Sequence, residues 1–143
     1  MNNQFNFTEI KVLDLFSGTG NMSFEFASRG CTDITAVEKD RNCNIYISKT
    51  AEELGIDSIE IEQDDVFAFV RNCSDRYDLI FADPPYTLPN PSELVELIFE
   101  NNLLKDNGRL ILEHQPKISF DNHPRFIQQR KYGSSIFSIF RSS

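Results

Sequence analysis

KVLDLFSGTG, residues 11–20, is the stretch on which the reading of the fold turns. Lys11 to Phe16 is a short apolar run, the pattern of a strand buried on both faces. Gly18 and Gly20 follow at once, and they let the backbone turn tightly and approach a ligand where a Cβ would obstruct it. Asn21 to Ser28, with Met22, Phe24, Phe26 and Ala27 apolar, reads as a helix whose N-terminus faces that turn. A strand, a glycine turn and a helix in this order start a parallel α/β sheet.

The rest of the chain repeats the alternation. Asp33–Glu38 reads as a second strand, Arg41–Leu54 as a helix stopped by Gly55, and Ile59–Glu62 as a third strand. Asp64–Val70 begins with acids that suit a helix N-terminus. Tyr77–Ala82 is a fourth strand. Pro91–Leu104 is a helix with proline in its first turn, and Arg109–Glu113 is a fifth strand. Arg125–Lys131 and Ser135–Phe140, joined around Tyr132-Gly133, read as an antiparallel hairpin. The expected fold is therefore α/β: a doubly wound, mostly parallel sheet with a C-terminal antiparallel hairpin, in one domain over residues 1–143. Ligands of such sheets sit beyond the carboxyl ends of the strands, where the strand order reverses.

Composition narrows the partners. The 143 residues are 40% hydrophobic and 25% charged, with a formal net charge of −8. No apolar run is long enough to span a membrane, and Met1–Thr8 lacks the pattern of a signal peptide. Cys31, Cys43 and Cys73 form no C-x-x-C pair, which points to reduced thiols in a cytoplasmic protein rather than to zinc or disulfides. His114 and His123 match no metal spacing, so no metal is expected, and His114 reads as a strand-end histidine. The negative charge suits a cationic cofactor better than it suits phosphate. Arg125, Arg130, Lys131 and Arg141 fit either a basic patch near the tail or a solvated hairpin face.

Acids stand after successive strands. Asp14 lies inside the first strand, where an unpaired carboxylate is costly. Beside the glycine turn it suits a ligand carrying an ammonium and a sulfonium and would repel a pyrophosphate. A dinucleotide fingerprint would place a third glycine at position 23, where Ser23 stands. Glu38, at the end of strand two, can accept both hydroxyls of a ribose, although a solvated strand-end charge has the same appearance. Asp64 and Asp65 follow strand three. Asp65 is the better candidate to hold an adenine amino group, and both also suit helix capping.

Asp83-Pro84-Pro85-Tyr86 follows strand four. The prolines stiffen the backbone and fix the Asp83 carboxylate and nearby carbonyls as acceptors for one amino group. Tyr86 offers a face for a base to stack on. An exocyclic amino nitrogen is conjugated with its ring and is a poor nucleophile. Two acceptors on its N–H bonds free its lone pair, and a preorganised carboxylate stabilises the positive charge that develops as a methyl group arrives. The remainder of such catalysis is in-line positioning.

With these residues the chain resembles the bacterial small-subunit ribosomal RNA guanine-N2 methyltransferases of the RsmD type. The resemblance rests on VLDLFSGTGNMSFEFASRG (12–30), VEKD (37–40), QDDVFAF (63–69), YDLIFADPPY (77–86), LILEH (110–114) and RKYG (130–133). It implies a class I, Rossmann-like fold with S-adenosylmethionine as cofactor. Asp14, Phe16, Gly18 and Gly20 would line its methionine end, with Ser17 and Asn21 beside them. Glu38 and Lys39 would lie at the ribose, and Asp65 with Val66 at the adenine. Asp83, Pro84, Pro85 and Tyr86 would receive an unstacked guanine. The implied partner is ribosomal RNA or an assembly intermediate of the small subunit, acted on by a monomer.

The family also carries a basic N-terminal arm of about forty residues before strand one, whereas strand one here begins by residue 11. DNA adenine methylation, which uses a similar D-P-P-Y loop, a cofactor-binding domain inactive without an arm or partner, and an NAD-dependent enzyme are the other readings. The absence of a target-recognition segment weighs against the DNA enzyme, and Asp14 with Asp83 weighs against NAD.

Overall fold

The computed structural model describes residues 6–88 and 90–142, so most of the Met1–Thr8 signal-peptide reading lies outside the described residues. The chain runs β1 (Val12–Leu15), α1 (Asn21–Ser28), β2 (Ile34–Val37), α2 (Arg41–Leu54), β3 (Ile59–Glu62), α3 (Val66–Asn72), β4 (Tyr77–Ala82), α4 (Pro91–Glu100), β5 (Leu104–His114), β6 (Phe126–Tyr132) and β7 (Ser135–Arg141). The strands form one seven-stranded sheet in the order β3-β2-β1-β4-β5-β7-β6. β1 to β5 are parallel, and β7 pairs antiparallel with both β5 and β6. The expected doubly wound sheet with a C-terminal hairpin is thus what the chain forms.

The two-residue period of a strand divides the core into two layers. Leu13 and Leu15 of β1 join Val66, Val70, Leu94, Val95 and Ile98 of α3 and α4. Val12 instead packs with Phe26 of α1, Ile34, Leu79 and Phe81. Asp14 shares the parity of Val12 and so projects toward α1, not toward α3 and α4.

Several boundaries depart from the sequence reading. The helix expected over Pro91–Leu104 stops at Glu100. Asn102 takes a left-handed φ of 54°, and the Leu103 N–H donates to the Ile98 carbonyl at 3.1 Å, the way an asparagine ends a helix. Leu104 then opens β5 opposite Tyr77, and the ladder resumes at Arg109 opposite Leu79 after an irregularity. The helix expected over Asp64–Val70 is Val66–Asn72, because the Asp65 side chain caps it by accepting from the Ala68 N–H at 3.0 Å. The hairpin's order in the sheet, with β7 inside and β6 at the edge, was not foreseen.

The turn from β1 into α1 is tightly built. Phe16 has φ 61°, Gly18 57° and Gly20 88°. A Cβ added to Gly20 would lie 3.0 Å from Ile47 Cγ1 and 3.1 Å from Phe24 Cε2, so this residue lets α2 approach the turn. Gly20→Ala is expected to cost about 1–3 kcal/mol, from the strained φ and the crowding. The urea unfolding midpoint of the variant checks this, and an unchanged midpoint would show that the turn tolerates a side chain.

Candidate active site

Because β2 and β3 lie on one side of β1 and β4 lies on the other, the chain reverses its direction of winding at the β1–β4 pair. A crevice must open at the carboxyl ends of the strands there. The cleft found at that point has a volume of about 280 Å³ and is lined by Phe16, Glu38, Lys39, Asp64, Asp65, Val66, Asp83 and Pro85. These residues stand just after β1, β2, β3 and β4. Residues far apart in sequence therefore converge because each ends a parallel strand.

Glu38 is held with both oxygens used. Its Oε1 accepts from the Gly18 N–H at 2.8 Å and its Oε2 from the Asp40 N–H at 3.0 Å. Asn44 donates to the Glu38 carbonyl at 2.7 Å. Each carboxylate oxygen keeps further acceptor capacity, so Glu38 is fixed yet still able to receive hydroxyl donors from the cleft. Asp65 likewise caps α3 through one oxygen while it lines the cleft.

Asp14 has a different surrounding. It is 1% exposed, and its Oδ2 accepts the Ser23 hydroxyl at 2.7 Å. Gly20, the N-cap of α1, has no side chain to cap the helix, and Asp14 does this from the neighbouring strand through Ser23. Burial raises the Asp14 carboxyl to about 7, with hydrogen bonds from Ser23 only partly offsetting it. Asp14, Ser17, Gly18, Gly20 and Asn21 form the turn beside the cleft and are not among its lining residues. The Ser17 hydroxyl donates to the Asp14 carbonyl at 2.8 Å and closes that turn.

Asp83 stands at the other wall, its N–H 3.4 Å from the Leu15 carbonyl. The residue is open to solvent, but protein packs around its carboxyl closely enough that desolvation, with the charge of Glu113 added, raises it to about 6. Glu113 follows Leu112, which pairs with Ala82, so the two acids leave adjacent strands one step beyond the same rung. Pro84 is buried, and Tyr86 is 58% exposed. The Leu88 N–H donates to the Pro85 carbonyl at 2.9 Å, and Gln115 Nε2 donates to the Tyr86 carbonyl at 3.2 Å. The loop is thus tied both to itself and to the end of β5.

His114 is buried at that end, as a strand-end histidine should be. Its Nδ1 faces the Gln115 carbonyl at 2.9 Å, which can only accept, so Nδ1 carries the proton and Nε2 accepts the Ser138 hydroxyl at 2.6 Å. Burial lowers its pKa, with the hydrogen bond to the Gln115 carbonyl partly offsetting this. Sequence reasoning missed Asn44, Gln115 and Glu113. Glu113 alone left a trace, as the acid ending the strand beside that of Asp83. Among the described residues, no three His, Cys, Asp or Glu are grouped to hold a metal, and no helix is long and apolar enough to cross a membrane.

A family model described as conserved hypothetical protein 95 matches residues 2–141. The ribosomal RNA small subunit methyltransferase D of Buchnera aphidicola subsp. Baizongia pistaciae is 27% identical over 103 residues, 72% of this chain and 53% of that protein. The chain thus spans about half the length of this relative. A solved chain from Haemophilus influenzae superposes with TM-score 0.85 at 22% identity, covering 95% of this chain and 88% of the other. Coclaurine N-methyltransferase, solved with N-methylheliamine and SAH, superposes with TM-score 0.63 at 24% identity, over 75% of this chain and 31% of its own. The fold is that of the class I methyltransferases.

The buried Asp14 gives the fold a pH signature. A carboxyl raised from 3.8 to about 7 binds its proton more tightly in the folded state. Its contribution is present below the unfolded value and is lost as pH rises through the folded one. Relative to Asp14→Asn, wild-type stability should fall between about pH 4 and 7, by at most about 1.4 kcal/mol per pH unit. Chemical denaturation of both proteins across this range measures it, and parallel stability profiles would contradict a protonated Asp14.

Proposed function

The chain belongs to the conserved hypothetical protein 95 family, and on that footing we propose that it transfers a methyl group from S-adenosylmethionine to the exocyclic N2 of a guanine in small-subunit ribosomal RNA. The observation that carries this reading is the convergence of Glu38, Asp65 and Asp83 on one cleft. The relative named as a ribosomal RNA methyltransferase supports the substrate class.

The residues fit the cofactor on their own chemistry. An acidic cleft that excludes pyrophosphate attracts a ligand bearing an ammonium and a sulfonium. Glu38, fixed by two backbone N–H groups, receives the ribose hydroxyls, with Lys39 beside it. Asp65 and the Val66 N–H receive the edge of the adenine. Phe16, Ser17, Gly18, Gly20 and Asn21 shape the methionine end, and Asp14 holds that turn in place through Ser23. When bound, the cofactor supplies an electrophilic methyl group.

The rest belongs to the protein. Asp83, in its ionised form, accepts from one N–H of the target amino group, and a loop carbonyl held rigid by Pro84 and Pro85 accepts from the other. The nitrogen lone pair is thereby turned out of conjugation toward the methyl. As charge develops on nitrogen, Asp83 stabilises it and is placed to receive the departing proton. Tyr86, exposed and anchored through its carbonyl by Gln115, stacks on the guanine. The whole reading is of one domain that acts as a monomer in the cytoplasm.

Calorimetric titration with S-adenosylmethionine, S-adenosylhomocysteine and NAD, followed by transfer of labelled methyl to ribosomal RNA and to subunit assembly intermediates, tests this proposal. The first two ligands are expected to bind and NAD is not. Asp83→Ala should abolish transfer while leaving cofactor binding nearly intact. Glu38→Ala should weaken binding by roughly 1.5–3 kcal/mol, the range of a charged hydrogen bond. Transfer by Asp83→Ala at near wild-type rate would overturn the catalytic assignment.

The raised pKa of Asp83 adds a kinetic signature. The working form is the carboxylate, so kcat/KM should rise with pH and level off above about 6. Glu113→Gln removes the neighbouring negative charge and should move that inflection to lower pH. An inflection that stays in place in Glu113→Gln would show that another group controls the rate.

A further inference from the structure

The charge of the chain is divided along its length. Residues 115–143 carry five Lys and Arg against one Asp, a net of +4, and residues 1–114 carry nine against twenty-one, a net of −12. The sheet register places part of the positive segment beside the cleft. His114, at the carboxyl end of β5, pairs with Ile136, and Ile136 pairs with Lys131. Glu113 pairs with Phe137, and Phe137 pairs with Arg130. Because β7 runs antiparallel, the β6–β7 turn comes out on the same edge of the sheet as the loop carrying Asp83. Three strand spacings of about 4.8 Å separate β4 from β6, so the two features lie roughly 15 Å apart.

This hairpin end is open. β6 is the last strand of the sheet, and Gln128, Gln129, Lys131 and Tyr132 are exposed. Among the described residues, neither Arg130 nor Lys131 forms an ion pair, whereas Lys11, Arg29 and Lys105 do. Tyr132 is 57% exposed, and its ring rests edge-on against Phe137 at 5.7 Å. The half-buried Arg130 shares a face of β6 with the Tyr132 ring, and Lys131 projects from the other face of the same open edge. Cations and an aromatic ring on one strand edge suit a nucleic-acid strand, which presents both phosphates and bases. The acids of the cleft repel phosphate, so a nucleic-acid substrate needs its backbone held away from them.

We propose that Arg130 and Lys131, at the open end of the β6–β7 hairpin, dock the phosphate backbone of the RNA whose base enters the cleft, with Tyr132 as a stacking face. This rests on the RNA reading of the site. The surface is the positive counterpart of the acidic cleft, and it lets a chain of net negative charge hold a polyanion on one edge. A purely structural role for these side chains, blunting an open sheet edge against aggregation, would leave RNA affinity independent of them.

The test is binding of labelled small-subunit ribosomal RNA, with S-adenosylhomocysteine present, at several salt concentrations. It compares wild type, Arg130→Gln/Lys131→Gln and Lys105→Gln. Lys105 sits at the opposite edge, paired with Asp78. The double variant should bind RNA more weakly, with a slope of log affinity against log salt shallower by about 0.7 for each lost phosphate contact. It should keep its affinity for S-adenosylhomocysteine, which shows that it is folded, and Lys105→Gln should match wild type. Equal slopes in wild type and the double variant, or an equal loss in Lys105→Gln, would overturn the assignment. Failure of the functional reading itself shows differently, as a wild type that binds RNA and transfers no methyl group to it.

Discussion

The turn after β1 is the constraint on which the rest depends. Three residues within five, Phe16, Gly18 and Gly20, hold left-handed backbone angles. The turn stays in place because it is tied from three directions. Asp14 reaches from β1 to Ser23 of α1, Gly18 donates to Glu38 at the end of β2, and Gly20 lets Ile47 of α2 pack directly against it. Strain of this kind persists only where the surroundings over-determine it. Here they do so with one strand end, one helix start and one helix face, and the same three contacts bring Phe16 and Glu38 to a single cleft.

Burial shapes the electrostatics of Asp83 in that cleft, and of Asp14 in the turn beside it, more than specific pairing does. Asp14 and Asp83 both hold their protons more tightly than free carboxyls, in each case first because of desolvation. They do different work because their exposure differs. Asp14 is sealed in and serves the helix above it, and Asp83 stands at the mouth on a proline-stiffened loop where a ligand can reach it.

The order of elements, the acid within β1 and the acids after β2, β3 and β4 were legible in the sequence, because a parallel sheet must bury its strands and leave its ligands at their carboxyl ends. The Asp83-Pro84-Pro85-Tyr86 loop was legible because two prolines admit few conformations. Asp65 as a helix cap was also readable, since capping depends only on residues nearby in the chain. The end of α4 was misjudged because Leu103 and Leu104 continue its apolar pattern, and the left-handed Asn102 that breaks it leaves no mark in hydrophobic periodicity. The partnership of Asp14 with Ser23 was not legible, since it depends on which face of β1 meets α1.

By itself, then, the sequence determined the alternation of strands and helices, the glycine turn, the stiff loop and the list of acids that end strands. All of these follow from local sterics and from the periods of 2 and 3.6 that burial imposes. Tertiary structure decided what each of those groups can do. It buried Asp14 and left Asp83 open, used both oxygens of Glu38, and set Glu113 next to Asp83. It also placed β7 inside β6, so that Arg130 and Lys131 emerge on the edge that carries the cleft. The physical reason is that desolvation, charge proximity and strand register depend on distances between segments far apart in the chain.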